Sequence, residues 1–114
     1  MRILMIEDEY LVAEEIRLCL TRAGFSHIEH AATEDEALKW ISDTAWNAAI
    51  VDANLDGQSI DAIADALSER GIPFVIVTGY TRKSLPERLS GVTVVEKPFR
   101  SKTLVDAVSS LFPR

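Results

Sequence analysis

Residues 2–24, RILMIEDEYLVAEEIRLCLTRAG, set a pattern that the rest of the chain repeats. The apolar run from Arg2 to Ile6 gives way to three acids, Glu7 to Glu9, and then to apolar residues three or four positions apart until Gly24. A short apolar run is typical of a buried strand, and three-to-four spacing is typical of an amphipathic helix. The stretch therefore predicts a strand followed by a helix that ends at Gly24.

Four further apolar segments continue this alternation. They predict strands over 27–31, over 47–51 ahead of Asp52, over 74–77 and over 92–95. Helical spacing follows Thr33, which forms a capping-box pattern with Glu36, and returns over 60–67 and 104–112. Strands that alternate with helices form a parallel sheet covered on both faces. We therefore predict an α/β fold with a doubly wound, five-stranded parallel sheet.

Length and composition fit one domain of this kind. The chain has 114 residues, of which 47% are hydrophobic and 26% charged. This is enough for one buried core, and the hydrophobic share argues against disorder. We expect residues 1–114 to form a single domain with no output domain.

Charge and cysteine content limit the partners and the compartment. Twelve basic residues against eighteen acidic ones give a net charge of −6, the wrong sign for binding a phosphate backbone. No apolar run approaches the about 20 residues that cross a bilayer, and Glu7 to Glu9 interrupt any signal peptide. The single cysteine, Cys19, has apolar neighbours and predicts a buried thiol in a reducing compartment. We expect a cytoplasmic monomer that binds neither nucleic acid nor a membrane.

Chemically active side chains stand where the predicted strands end. Glu7 and Asp8 follow the first strand, Asp52 ends the third, Thr78 follows the fourth and Lys97 follows the fifth. Ligands of parallel sheets bind at these carboxyl ends, so the five side chains should converge. Two carboxylates about 4 Å apart repel by roughly 4 kcal/mol at an effective dielectric of 20. A hard divalent cation such as Mg²⁺, which prefers oxygen ligands, best relieves that repulsion.

Each of these residues also has a structural interpretation when it is taken alone. Glu7 or Glu9 could complement the dipole of the following helix, and Asp52 could be a turn residue. Lys97 could be a surface charge, and Thr78 a hydroxyl at a strand end. The set as a whole favours a site, because a carboxylate that follows an apolar strand is costly to bury without a partner.

The histidines and tryptophans are interpreted as structural. His27 and His30 are not at zinc-ligand spacing with Cys19, and no acidic or nucleophilic partner is evident for them in the sequence. Trp40 and Trp46 are expected to pack in the core and at its rim.

The pattern at the strand ends resembles the receiver domain of two-component response regulators. The matching motifs are Ile6-Glu7-Asp8-Glu9, Asp52, Thr78 and Lys97-Pro98-Phe99. They fall in the family's order and spacing, and the resemblance covers essentially the whole chain. It implies a flavodoxin-like sheet with strand order 2-1-3-4-5 and a cis peptide bond between Lys97 and Pro98.

The resemblance also implies roles in phosphoryl transfer. Asp52 would accept the phosphoryl group from a phosphohistidine on a histidine kinase or phosphotransfer protein. Lys97, the Thr78 hydroxyl and the backbone amides of Ala53 and Gly79 would contact the phosphoryl oxygens.

The same resemblance implies Mg²⁺ as the cofactor. Asp8 and Asp52 would bind the ion directly, Glu7 mostly through water, and Asn54 through its backbone carbonyl. The protein would then catalyse its own phosphorylation and the hydrolysis of its acyl phosphate without being a conventional enzyme.

Some positions depart from the usual family pattern. Val94 stands where receivers usually carry a switch Tyr or Phe. Asp56 occupies a position in the loop after Asp52 where receivers usually have Pro. The sequence predicts a shortened helix led by Pro86. The usual aromatic coupling is therefore not expected, and the switching face should differ.

The run 74–80, FVIVTGY, resembles the receiver subgroup nicknamed "FAT GUY". That subgroup also lacks the switch aromatic. The switch candidates are Thr78, Tyr80 and Val94, and the polar segment 78–90 is predicted to be a mobile loop.

The leading functional hypothesis is a stand-alone receiver that signals by docking to another protein. It could equally be a phosphorelay intermediate or a phosphate sink. One alternative is a receiver-like docking module that is never phosphorylated. Another is a small Mg²⁺-dependent aspartyl phosphatase or phosphotransferase, which ranks last because a chain this short leaves little to close over a small substrate. Helix 10–23 is a candidate kinase-docking face by resemblance, or an ordinary amphipathic helix.

Overall fold

The computed structural model describes residues 1–55, 59–79, 89 and 91–112, in which strands and helices alternate from the first strand to the fourth. The strands are β1 (Arg2–Ile6), β2 (His27–Ala31), β3 (Ala48–Asp52), β4 (Phe74–Thr78) and β5 (Val94–Glu96). The helices within the described ranges are α1 (Tyr10–Arg22), α2 (Glu34–Asp43), α3 (Asp61–Glu69) and α4 (Ser101–Ser109).

The five strands form one parallel sheet in the order β2-β1-β3-β4-β5. This confirms the predicted fold class and strand order. At the carboxyl edge the register pairs Ile6 with Val51, Asp52 with Val77, and Thr78 with Glu96. The ends of β1, β3, β4 and β5 therefore lie close together along one edge of the sheet.

Within the described ranges, two helices pack against each face of the sheet. Alternate side chains point to opposite faces, so Leu4 and Val51 join a core with α2 and α3, while Met5 and Val75 join a core with α1 and α4. All five residues of β3 are buried, as expected for a central parallel strand. Because the central strands are held from both sides, their carboxyl ends form a rigid base for a site.

Local signals at the helix ends are also confirmed. The Thr33 hydroxyl accepts a hydrogen bond from the Glu36 amide at 3.1 Å, which caps α2. Gly24 follows α1 with φ 104° and Gly71 follows α3 with φ 67°, conformations that glycine adopts without strain. The peptide bond between Lys97 and Pro98 is cis, as the family resemblance implied.

Three local predictions differ from the structure. β5 begins at Val94, because the Val92 amide donates to the Leu89 carbonyl in a turn. Cys19 is only half-buried, and its sulfur lies 3.0 Å from the Ser101 hydroxyl oxygen, because the helix turns it toward the start of α4. Helix α4 ends at Ser109, whereas the helical spacing predicted that it continues through Leu111 and Phe112.

The tryptophan prediction is confirmed. Trp46 is 7% exposed and meets Trp40 edge-on, with 5.7 Å between ring centroids. The predicted mobile loop lies outside the described residues except for Thr78, Gly79 and Leu89. Within the described part of the chain, every helix is too short or too polar to cross a membrane.

Candidate functional site

The carboxyl edge of the sheet brings the predicted site residues together. Glu7 and Asp8 follow β1, Asp52 is the last residue of β3 and Thr78 is the last of β4. Lys97 follows β5, and its amide donates to the Thr78 carbonyl at 2.7 Å. Because β1 and β3 are neighbours, the three acids meet over the middle of the sheet.

Three carboxylates form a tight cluster. Glu7, Asp8 and Asp52 each offer an oxygen within 4.8 Å of the others. Glu7 is 1% exposed and Asp52 is 3% exposed, whereas Asp8 lies on the side that is open to solvent. Such a cluster of negative charge needs a cation or a proton to be stable.

Lys97 provides one positive charge to the cluster. Its ammonium nitrogen lies 3.2 Å from Glu7 Oε1 and 3.6 Å from Asp52 Oδ1. Burial alone would lower the pKa of Lys97, but the charges of Asp52 and Glu7 outweigh it and hold that pKa above its usual value. Lys97 is therefore positively charged throughout the physiological range.

Glu7 has a strongly altered acidity. Burial, followed by its hydrogen bond to Asp52 and the charge of Asp52, raises the pKa of Glu7 from 4.5 to about 8, against the opposing effects of the Glu9 amide and Lys97. The metal-free pocket consequently keeps a proton between the Glu7 and Asp52 carboxylates below that pH. A divalent cation at the same place would displace this proton.

The donor set fits Mg²⁺. Its donors are carboxylate oxygens, which this ion prefers, and one side of the cluster is open enough for the waters that Mg²⁺ retains. In the described part of the chain, one ammonium faces three carboxylates, so a net negative charge remains for a divalent cation to balance. Receiver domains generally bind Mg²⁺ at an acidic pocket of this kind.

In the turn after β3, the backbone amides of Ala53 and Asn54 have different partners. The Ala53 amide, expected to face a phosphoryl group, instead donates to the Val77 carbonyl at 2.9 Å and extends the β3–β4 ladder. The Asn54 amide donates to Asp52 Oδ1 at 3.1 Å and therefore faces the site. The cause is the parallel register, which pairs Asp52 with Val77. The next amide along the chain, that of Ala53, therefore continues the hydrogen bonding between the two strands.

The switch candidates are only partly described. Thr78 is fully buried at the end of β4, and Gly79 is exposed beside it. Val94 is half-buried and pairs with Ile76, packing against the core on the α3 side. Tyr80 lies outside the described residues, as do Asp56 and Pro86.

One contact at the site was missed by the sequence reasoning. His30 Nε2 lies 2.6 Å from the backbone carbonyl oxygen of Glu7. The strand register could have indicated this contact, because it pairs Ile6 with Ala31 and so places the end of β2 beside the acids that follow β1.

The fold, the acidic cluster and the neighbouring lysine define a class of protein. A model of the response regulator receiver domain matches residues 3–109. The chain belongs to the response regulator receiver domain family.

Two curated regulators are similar to this chain. The phyllosphere-induced regulator PhyR of Methylorubrum extorquens is 32% identical over 111 residues, which cover 94% of this chain and 42% of PhyR. The transcriptional regulatory protein PdtaR of Mycobacterium tuberculosis is 26% identical over 111 residues, which cover 94% of this chain and 54% of PdtaR. The chain thus spans about half the length of these relatives, or less.

Solved structures agree with this assignment. SdrG from Sphingomonas melonis Fr1 has a TM-score of 0.84 and 33% identity, covering 96% of this chain and 94% of SdrG. A BeF₃-activated conformation of SdrG has a TM-score of 0.83 at the same identity and coverage. PhyR from Brucella abortus has a TM-score of 0.82 and 33% identity, covering 96% of this chain and 46% of that one.

Proposed function

We propose that residues 1–114 act as one receiver domain that accepts a phosphoryl group on Asp52 and passes the signal on by docking to another protein. One observation carries this proposal. Oxygens of Glu7, Asp8 and Asp52 lie within 4.8 Å of one another, and the ammonium of Lys97 lies against two of these carboxylates. The arrangement suits a phosphoryl group and a divalent cation side by side.

The donor is the phosphohistidine of a histidine kinase or of a phosphotransfer protein. An oxygen of the Asp52 carboxylate attacks the phosphorus, and the bond from phosphorus to the imidazole nitrogen breaks. The electron pair of that bond returns to the imidazole, which takes up a proton. The product is an aspartyl phosphate. Because phosphoryl transfer has little covalent chemistry for the protein to perform, catalysis consists of positioning and charge stabilisation.

The neighbouring groups supply that stabilisation. The ammonium nitrogen of Lys97 is already 3.6 Å from Asp52 Oδ1. It can therefore contact a phosphoryl oxygen once the phosphoryl group is on Asp52. Among the described residues, the hydroxyl of Thr78 and the amides of Asn54 and Gly79 lie at this edge and serve as neutral donors to the phosphoryl oxygens. Donors that are fixed before the reaction cost no reorganisation during it.

Mg²⁺ is the cofactor of this proposal. Asp8 and Asp52 hold it directly, Glu7 holds it through water, and the backbone carbonyl of Asn54 completes the protein ligands. When bound, the ion neutralises negative charge on the transferred group and orients it.

The output of this receiver is protein docking, and its compartment is the cytoplasm. Val94 offers no aromatic ring to change rotamer, so the response to phosphorylation is carried by Thr78 and the segment that follows it. A BeF₃-activated conformation is known for SdrG, a relative that is 33% identical, and this supports a conformational response to phosphorylation here.

The test is intact-mass spectrometry after incubation with Mg²⁺ and a small phosphodonor. We expect a single phosphoryl adduct on the parent and on Asp106→Asn, a matched change at an exposed position on α4. Asp52→Asn and a sample with chelator should show none. If neither a small donor nor a phosphohistidine protein gives an adduct, the docking-only module replaces this proposal. Sustained Asp52-dependent turnover of small phosphomonoesters would favour an enzyme instead.

A further inference from the structure

His30 contacts the peptide bond that joins two of the candidate metal ligands. Its Nε2 lies 2.6 Å from the carbonyl oxygen of Glu7, the residue before Asp8. A carbonyl oxygen can only accept, so Nε2 carries the proton and donates it. The ring is half-buried and reaches the acidic loop from β2, the edge strand next to β1.

This hydrogen bond completes the attachment of Glu7 to β2. The Glu7 amide donates to the Ala31 carbonyl at 3.1 Å, and the Glu7 carbonyl accepts from His30. Both backbone polar groups of Glu7 are therefore held by the same strand. The buried side chain of Glu7 is held separately, by Lys97 at 3.2 Å and by the Glu9 amide at 3.2 Å.

The geometry of the peptide unit extends this restraint to Asp8. The atoms from the α-carbon of Glu7 to the α-carbon of Asp8 lie in one plane, because the peptide bond has partial double-bond character. Fixing the direction of the Glu7 carbonyl thus fixes where the α-carbon of Asp8 lies. The carboxylate of Asp8 leaves the backbone from that point toward Glu7 and Asp52.

The strand that carries His30 is itself well anchored. Its backbone pairs with β1 at Met5 and Ile6. Arg17 of α1 donates from Nη1 to the Ile28 carbonyl at 2.9 Å, which ties the strand to a helix. The imidazole has only two side-chain torsions, so the ring holds the Glu7 carbonyl from a fixed base.

We propose that His30 is a positioning residue for the divalent-cation site, and that it acts by orienting the peptide between Glu7 and Asp8. The inference rests on the Mg²⁺ binding proposed above and adds to it a residue that contacts neither the ion nor the phosphoryl group. Partners that orient metal ligands commonly change metal affinity by about 10- to 100-fold when they are removed.

Two amide substitutions separate this role from a merely structural one. The amide nitrogen of His30→Gln lies as many bonds from the α-carbon as Nε2 does, so it can donate to the same carbonyl. The amide nitrogen of His30→Asn corresponds to Nδ1 and is too short to do so. His27→Asn, on an exposed histidine three residues earlier in β2, is the matched control.

The measurement is the Kd for Mg²⁺ on the full chain, taken from amide shifts in two-dimensional NMR, together with the metal-free Tm of each variant. We expect His30→Asn to weaken Mg²⁺ binding by about tenfold. We expect His30→Gln and His27→Asn to bind as the parent does.

Three results would overturn the proposal. Unchanged affinity in His30→Asn with a lower Tm would mean that the contact stabilises only the fold. An equal loss in His30→Gln and His30→Asn would show that the donated hydrogen bond is not what matters. No Mg²⁺ binding by the parent would remove the metal site itself, and that failure of the proposed function is seen before any variant is compared.

Discussion

The metal-free protein should lose stability as the pH rises from about 5 to 8. The cause is Glu7, whose carboxyl is buried beside Asp52 and has a pKa of about 8 instead of 4.5. In the unfolded chain this group releases its proton near the ordinary value. In the folded chain it keeps the proton until the pH reaches about 8.

The sign and size follow from proton linkage. Between the two pKa values the folded state binds one more proton than the unfolded state does, so the free energy of unfolding falls as pH rises. The slope for one proton is about 1.4 kcal/mol per pH unit. The accumulated loss is several kcal/mol, a large part of the about 5–15 kcal/mol that stabilises a typical domain. Above about pH 8 the slope should disappear.

Urea unfolding in chelator, followed by the fluorescence of Trp40 and Trp46, measures this slope. Glu7→Gln is the control, because it keeps the shape of the side chain and cannot ionise. The parent and the variant have all other titrating groups in common. The difference between their slopes of unfolding free energy against pH therefore measures the contribution of Glu7. Equal slopes in the two proteins would refute the reasoning. Mg²⁺ should stabilise the parent more at pH 8 than at pH 6, because binding must displace the proton.

Three further substitutions test other parts of the site. Asp52→Asn should raise the metal-free Tm above about pH 8, where Glu7 and Asp52 would otherwise both be charged. It should also abolish the Mg²⁺-dependent rise in Tm seen in the parent, and a retained rise would contradict the ligand assignment. Lys97→Ala should slow phosphorylation by a small-molecule donor about 10²-fold, measured as the rate of adduct formation, and an unchanged rate would exclude its charge-stabilising role. Thr78→Ala should still be phosphorylated but show smaller amide NMR shifts on phosphorylation, and shifts matching the parent would contradict its part in the switch.

The sequence predicts the fold well because each signal is local. The apolar run Arg2–Ile6 and the spacing after Tyr10 each determine one element without reference to the rest of the chain. The capping pair of Thr33 and Glu36 is local in the same way. The convergence of the acids then follows from one rule about the carboxyl ends of parallel strands.

Contacts across strands could not be predicted from residue types. Because of the strand register, the Ala53 amide donates a hydrogen bond to the Val77 carbonyl, whereas the Asn54 amide donates to the Asp52 carboxylate at the site. The same kind of pairing brings His30 to Glu7 from a strand that begins twenty residues further along the chain. A local pattern contains no information about such distances.

The raised pKa of Glu7 also could not be predicted from the sequence. An acid after a strand is usually exposed near the start of a helix, whereas Glu7 is buried beside Asp52 and Lys97, which come from distant parts of the chain. The FAT GUY resemblance stays a prediction, because it depends partly on Tyr80, outside the described residues.

The central claim is that Asp52 becomes an aspartyl phosphate, and chemical localisation tests it most directly. The chain is incubated with Mg²⁺ and a phosphohistidine donor protein, reduced with borohydride, and digested for tandem mass spectrometry. Borohydride converts an acyl phosphate to an alcohol, so the account predicts homoserine at position 52 and unaltered aspartate at positions 8 and 61. Homoserine at another position, or none with a donor that phosphorylates a known receiver, would contradict the account.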